Sequence, residues 1–360
     1  MNPSSKARIT ALDLARALAI FGMIIVNYKP AMKADNDGPA WLRAIAGVFE
    51  GRASALFVVL AGVGVSLMTS KARRTMDSSL IRQSRNSLFR RAAFLLAAGT
   101  FLLLIGWSAD ILHYYAVFLF VAAFLFTASD RILLVLIPIV LLVSQMLLLV
   151  LDYSAGWNAE FHEYSGFWTL DGFVRNLLFN GFHPVFPWLC FFLVGMWIGR
   201  RDWLNRENRA RLLSFSLLGV VALETVSYLL IRWTSPWLDH ESATYLFGTK
   251  PMPPTALYIL SGTCSSLGII AICLYAIDKF EPSRLTQAVI STGQLSLSHY
   301  IGHVVIGLGV LEVFGYLENG NLAFALAYAT AYFIFAILFS TVWRRRMDRG
   351  PVELLMRKLS

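Results

Sequence analysis

The sequence predicts an all-α polytopic membrane protein, about ten transmembrane helices in one bundle with both termini cytoplasmic. Residues 1–360 are expected to form a single transmembrane domain. Three observations predict this. The chain is 57% hydrophobic and only 15% charged, with mean hydropathy +0.61; soluble domains average about 45–50% apolar and about 25% charged. The apolar residues fall in long runs, and roughly 20 consecutive apolar residues cross a bilayer. The basic residues collect at the ends of those runs rather than along one face.

The expected spans, in order, are 9–28, 53–70, 92–107, 111–128, 132–151, 184–199, 212–231, 255–277, 288–313 and 321–342. Each must be helical, because a lipid-facing backbone has no other way to satisfy its polar groups. The first is too long for a signal-peptide core and is followed by no small-residue cleavage site, so it is expected to stay. The second, sixth and eighth carry "AGVGVS", "VGMWIG" and "SGTCSS", small residues that let helices pack closely. The fourth opens on "SADILHYY", the seventh holds Glu224, and the ninth carries "STGQLSLSHYIGHVVIG". The outer segments 152–183 and 233–254 are rich in aromatic residues, which suits an interfacial belt or a lid over a site.

Direction follows from lysine and arginine. With the N-terminus inside, 23 of the 31 lie on inner segments, seven on outer ones, and Arg16 within a span. The formal charge of +9 is therefore a topology signal, and no nucleic-acid partner is expected. Cys190, Cys264 and Cys273 lie in apolar runs without metal or disulfide spacing. Nothing matches a Walker loop, a GxSxG elbow or an HExxH helix.

Ionisable groups inside spans are costly and normally pair in the bundle interior. Asp13 and Arg16, three apart, share a helix face. Two readings stay open: a structural ion pair, or Asp13 holding Arg16 ionised toward an anionic ligand from the cytoplasm. In the ninth span Thr292, Ser296, His299 and His303 recur at helical spacing as one polar stripe. Without a third ligand the two histidines do not predict a metal site. Asp110 either caps the fourth helix or orients the ring of His113 as the carboxylate partner of a general base. His183 stands just outside the sixth span.

"LDLARALAIFGMIIVNY" and "GRASALFVVLAGVGVSL" resemble the opening of heparan-α-glucosaminide N-acetyltransferase and its bacterial relatives in the transmembrane acyltransferase superfamily. "DILHYYAVF", "NGFHPVFPWLCFFLVGMWIGR" and "TGQLSLSHYIGHVVIG" resemble its YeiB-like branch, a bacterial inner-membrane group. The resemblance implies acetyl-CoA or another acyl-CoA as cytoplasmic co-substrate, without a metal. It implies transfer of the acyl group to a glycan or lipid-linked sugar on the opposite side. Its catalytic pair is an asparagine ending the first span and a histidine in the following loop. Asn27 matches the first; residues 29–51 contain no histidine. The base is then sought among His113, His183 and His303, with Asp110 beside His113. Asp13, Arg16, Arg52, Ser296 and His299 are the expected contacts of the acyl carrier.

The leading expectation is thus a membrane acyltransferase of the bacterial cytoplasmic membrane, touching lipid and a glycan acceptor, with oligomerisation open. The alternative is a transporter or flippase whose polar stripe lines a substrate route; the absence of evidently broken, paired helices weighs against it.

Overall fold

The computed structural model describes residues 3–35, 37–159, 161–205, 207–280 and 283–359, with backbone alone for 3–9 and 204. The side chains of Lys6 and Arg8, and all of Arg206, counted above among the inner cations, lie outside the described residues. The described residues are predominantly helical, joined by turns and loops, with one isolated antiparallel bridge, Trp157 to Tyr164. The helices are α1 (Pro3–Ala31), α2 (Ala40–Gly47), α3 (Arg52–Met68), α4 (Ser70–Thr75), α5 (Ser78–Leu104), α6 (Leu112–Leu125), α7 (Asp130–Val150), α8 (Leu170–Arg175) and α9 (Val185–Ile198). They continue as α10 (Arg209–Leu238), α11 (His240–Phe247), α12 (Ala256–Phe280), α13 (Arg284–Gln294), α14 (Ser296–Gly302), α15 (Gly309–Val313), α16 (Leu322–Trp343) and α17 (Pro351–Leu359). Wider π turns occupy Asn176–Asn180 and His303–Leu308.

Among the described residues eight helical stretches are long and apolar enough to cross a membrane. A ninth arises if Leu170–Asn180 and Val185–Ile198, bent by 47° at their junction, are one broken span. The fourth expected span shortens to α6, whose 14 residues reach about 21 Å against a hydrocarbon thickness of about 30 Å. Its ends show why. Asp110 accepts from the His113 backbone N–H at 3.0 Å. At the other end the Arg200 guanidinium donates to the Leu125, Phe126 and Ala128 carbonyls. A cation read from sequence as a topology marker also caps a helix. Other helix starts follow local chemistry legible in the sequence: Asp77, Ser129, Ser283 and Asn321 each accept from backbone N–H groups of the turn they open.

One expectation is corrected. The ninth span is not one helix: it breaks at Leu295, so α13 and α14 are separate and only Ser296–Val313 passes as a span. The bend of 47° before α9 falls at residues 181–184, next to the expected start of the sixth span, and Phe186 leaves helical geometry inside α9.

The chain divides into two compact units, residues 1–57, 205–209 and 269–359 in one and 58–204 with 210–268 in the other; it passes between them inside α3 and α12. In the first unit α1 packs on α13 and α16. Gly293 makes the α1–α13 contact possible, since a Cβ there would collide with the Asp13 carbonyl. In the second unit α5 pairs with α6 and α7 with α9. Gly62 of α3 and Gly195 of α9 meet backbone to backbone, a Cβ on either colliding with a carbonyl of the other helix. Around them lie the buried rings of Tyr114, Phe118, Trp188, Phe191 and Phe192. Gly195→Val forces these helices apart and is expected to destabilise the protein by about 1–3 kcal/mol or more, read as a lower thermal midpoint in detergent.

Candidate functional site

The first unit builds its polar cluster along one face of α1. Arg16 and Asn27 are eleven residues apart, three helical turns and about 16 Å along the axis, so they share a face that Asp13 also borders. At the N-terminal end the Asp13 carboxylate is 5% exposed and doubly engaged. It pairs with Arg16, and its second oxygen accepts from Gln294 Nε2 of α13 at 3.1 Å. The Arg16 side chain keeps 27% of its surface open. Asp13 is therefore held and Arg16 presented.

At the other end Asn27 Nδ2 lies 2.8 Å from His303 Nε2, both groups buried. An amide nitrogen only donates, so Nε2 is the acceptor and the imidazole is neutral with its proton on Nδ1. His303 opens the π turn, a geometry that widens the helix and is frequent at functional sites. Two phenols hold the turn: Tyr28 donates to the His303 carbonyl at 3.1 Å and Tyr328 to that of Gly307 at 2.8 Å. Gly307 is needed because a Cβ there would strike the Tyr28 hydroxyl. Asn27 and Tyr28, adjacent in sequence, thus grip His303 by its ring and by its backbone.

The α14 helix, which carries His299 and leads into His303, is anchored from outside the spans. Glu353 of α17 accepts from the Leu297 and Ser298 backbone N–H groups at 2.8 and 3.1 Å and from the Ser298 hydroxyl. Burial pushes the Glu353 carboxyl above its ordinary value, against the lowering effect of the Ser298 bonds.

The second unit has its own cluster. His113 Nδ1–H donates to Asp110 Oδ2 at 3.0 Å, with both side chains essentially unexposed. Asp110 thus accepts from both the backbone and the ring of His113, so the capping and orienting roles coexist. Gly99 of α5 leaves room for that carboxylate. The Tyr114 ring lies 3.8 Å from that of His113, its phenol donates to Asn176 Oδ1 at 2.6 Å, and it meets the His183 ring at 5.9 Å.

The comparisons with known proteins bear on both clusters. Residues 8–230 match the family described as heparan-alpha-glucosaminide N-acetyltransferase, catalytic. The chain belongs to that family. Residues 198–360 match a second family, described as a protein of unknown function, DUF418. Uncharacterized protein YeiB of Escherichia coli (strain K12) is 22% identical over 392 aligned positions, covering 98% of this chain and 96% of the relative. The family is therefore YeiB-like and related to heparan-α-glucosaminide N-acetyltransferase, and the membership implies a membrane acyltransferase type of protein.

Within this acyltransferase-like family the first unit brings together Asn27 with His303, and Asp13 with Arg16. Arg52 opens α3 and Ser296 opens α14, both half-buried. The ring of His299 goes elsewhere than that of His303: its Nε2 meets Ser340 of α16 at 2.7 Å. Thr292 bonds within its own helix to the Ala288 carbonyl. The polar stripe is thus divided among neighbouring helices rather than gathered on one surface. Asp110, His113 and His183 fall in the second unit. Sequence reasoning missed Tyr28, Gln294, Ser340, Tyr328 and Glu353. Tyr28 adjoins Asn27, and Gln294 lies between Thr292 and Ser296, both singled out; Ser340, Tyr328 and Glu353 carry no local signal. Glu224, whose partners were also unknown, accepts from the Thr249 hydroxyl at 2.7 Å and the Ser261 hydroxyl at 2.5 Å.

Two measurements test this geometry. Tyr28→Phe leaves the His303 carbonyl without its buried donor, a loss of about 1–3 kcal/mol, and lowers the thermal midpoint. Because burial raises the Glu353 carboxyl, the folded chain binds that proton more tightly than the unfolded chain. The stabilising contribution is present below its ordinary value of 4.5 and is lost as pH rises through the folded value. Glu353→Gln is expected to flatten that slope in thermal scans from acid to neutral pH.

Proposed function

We propose that the protein is an integral-membrane acyltransferase that takes an acetyl or other acyl group from cytoplasmic acyl-CoA and passes it to an extracytoplasmic glycan or lipid-linked sugar. It sits in a bacterial inner membrane as a single catalytic domain of ten spans with both termini inside. The bias of basic residues supports that orientation. The observation that carries the reading is the buried Asn27–His303 contact. It restores in space the asparagine–histidine pair that the loop after the first span lacks.

His303 supplies the base. Its unprotonated Nε2 accepts the proton of the attacking hydroxyl or amine as the new bond to the thioester carbonyl forms. It returns that proton to sulfur as the C–S bond breaks. The acceptor displaces Asn27 from Nε2, and the amide N–H donates instead to the oxyanion that develops on the carbonyl. Neutral imidazole suits this work because its unprotonated ring nitrogen offers a lone pair to the proton. Arg16, held by Asp13 on the same face of α1, meets an anionic part of the donor. Its separation of about 16 Å from Asn27 suits a donor whose anionic head and reactive thioester are joined by a long flexible arm, as in CoA.

A transporter or flippase is the second reading, favoured by the bend of 47° before α9 and the break at Leu295, since interrupted helices form substrate sites in transporters. Thermal-shift titration of the purified protein with acetyl-CoA and free CoA separates the two: selective stabilisation supports acyl transfer, because a ligand stabilises what it binds. No response, together with solute uptake into proteoliposomes, establishes the transporter. His303→Ala is expected to lower kcat by about 10²–10⁴-fold and Asn27→Ala by about 10²–10³-fold, with expression matched. Full activity in His303→Ala overturns the assignment, and parallel His113→Ala and His183→Ala show whether either serves as base.

A further inference from the structure

Two of the candidate spans in the first unit end at one level. His299 meets Ser340 at 2.7 Å, and each lies three residues inside its own end. The span Ser296–Val313 begins at Ser296, and the span Leu322–Trp343 finishes at Trp343. The chain after Trp343 is held at that level. Trp343 Nε1 donates to the Arg349 carbonyl at 2.7 Å, and the Val352 N–H donates to the Ser298 hydroxyl at 3.0 Å. Gly350 fits here because a Cβ would strike the Ser298 hydroxyl and the Glu353 carboxylate. With Glu353 bonded to the first turn of α14, the α17 helix is fixed beside the ends of both spans.

That helix is amphipathic and one of its faces is uncovered. Val352, Leu355, Met356 and Leu359 recur at helical spacing on one side, away from Glu353. Leu355 is 51% and Leu359 58% exposed, and no residue of α17 is buried. Among the described residues its main neighbour is α14. The segment is also basic. Arg344, Arg345, Arg346, Arg349, Arg357 and Lys358 stand against two acids, Asp348 and Glu353, and Glu353 is turned onto α14. Arg345, Arg346, Arg357 and Lys358 are exposed.

We propose that α17 is an interfacial helix that binds anionic lipid, its apolar face entering the acyl boundary of the adjoining leaflet and its cations engaging the headgroups. The level of the span ends puts Leu355 and Leu359 where acyl chains meet headgroups, so burying them needs no protein partner. Anionic headgroups attract cations placed just outside a span. Charge complementarity selects this occupant over a second copy of the chain, which would bring the same cations against these. Stable protein interfaces bury about 800 Å² per partner, more than four side chains of a short helix offer. Lipid held there also steadies the Glu353 bonds to α14. The proposal asks nothing of Asn27 or His303 and stands whether or not acyl transfer occurs.

The test is deuterium uptake by the backbone amides of 352–359 in the full-length protein, one copy per nanodisc. The discs hold phosphatidylcholine alone or mixed with phosphatidylglycerol, the same lipid on both faces, so the outcome is independent of orientation. Uptake is expected to be about tenfold slower in the mixed discs, the factor that one or two surface cations contribute, and the difference to shrink at high salt. Leu355→Glu with Leu359→Glu, both exposed positions, is expected to remove protection in either lipid while uptake in α16 stays unchanged. Arg357→Gln with Lys358→Gln is expected to remove only the increment due to phosphatidylglycerol. Equal uptake in the two lipids, or unchanged uptake in the glutamate variant, overturns the proposal. So does equal protection by soluble glycerol 3-phosphate, which carries the charge without acyl chains. Protection seen only in discs loaded with two copies also overturns it and gives the face to a second chain.

Discussion

One side-chain hydrogen bond, from Asn27 to His303, joins groups 276 positions apart, and the arrangement of the first unit serves it. An amide and an imidazole left apart in hydrocarbon would each be a costly orphan; together each satisfies the other. For the bond to form, α1 must run close beside α13 and α14, which Gly293 allows at one end and Gly307 at the other. The helix carrying His303 must also widen at that residue, which the π turn does and the phenols of Tyr28 and Tyr328 make tolerable. In the proposed reaction this same structurally obligatory contact would hold the base against a donor, so that a packing constraint and the proposed reactive centre coincide.

The break at Leu295 has the same logic. A continuous helix from 288 to 313 would leave no exposed helix start for Glu353 to cap, and α17 would lose its hold on α14. The interruption costs backbone hydrogen bonds and recovers them from a carboxylate distant in sequence. Placing that carboxylate on α17, outside the candidate spans, ties the helix that leads into His303 to a distant segment of the chain.

Much of the candidate site was legible. Asp13 and Arg16 are three apart, Asp110 and His113 are three apart, and local spacing on a helix determines who can meet. Asn27 and His303 were each visible as polar residues inside apolar runs, where an uncompensated polar group is not tolerated. That they satisfy one another was not legible, nor that His299 turns to Ser340 instead. Such choices depend on which helices adjoin and at what rotation, and a sequence with one periodicity per span carries no record of either.

The sequence by itself determined the class of molecule, a multi-pass helical membrane protein, helical because lipid offers the backbone no partners. It determined helix starts too, since a cap and the turn it opens are neighbours in the chain. Only the tertiary structure decided that the ninth expected span breaks at Leu295. It alone decided which intramembrane polar groups pair. Hydrophobicity is a property of residues, and it is additive along a run. Pairing is a property of surfaces, and it exists only once distant segments have been brought within 3 Å of each other, as Asn27 and His303 are at 2.8 Å.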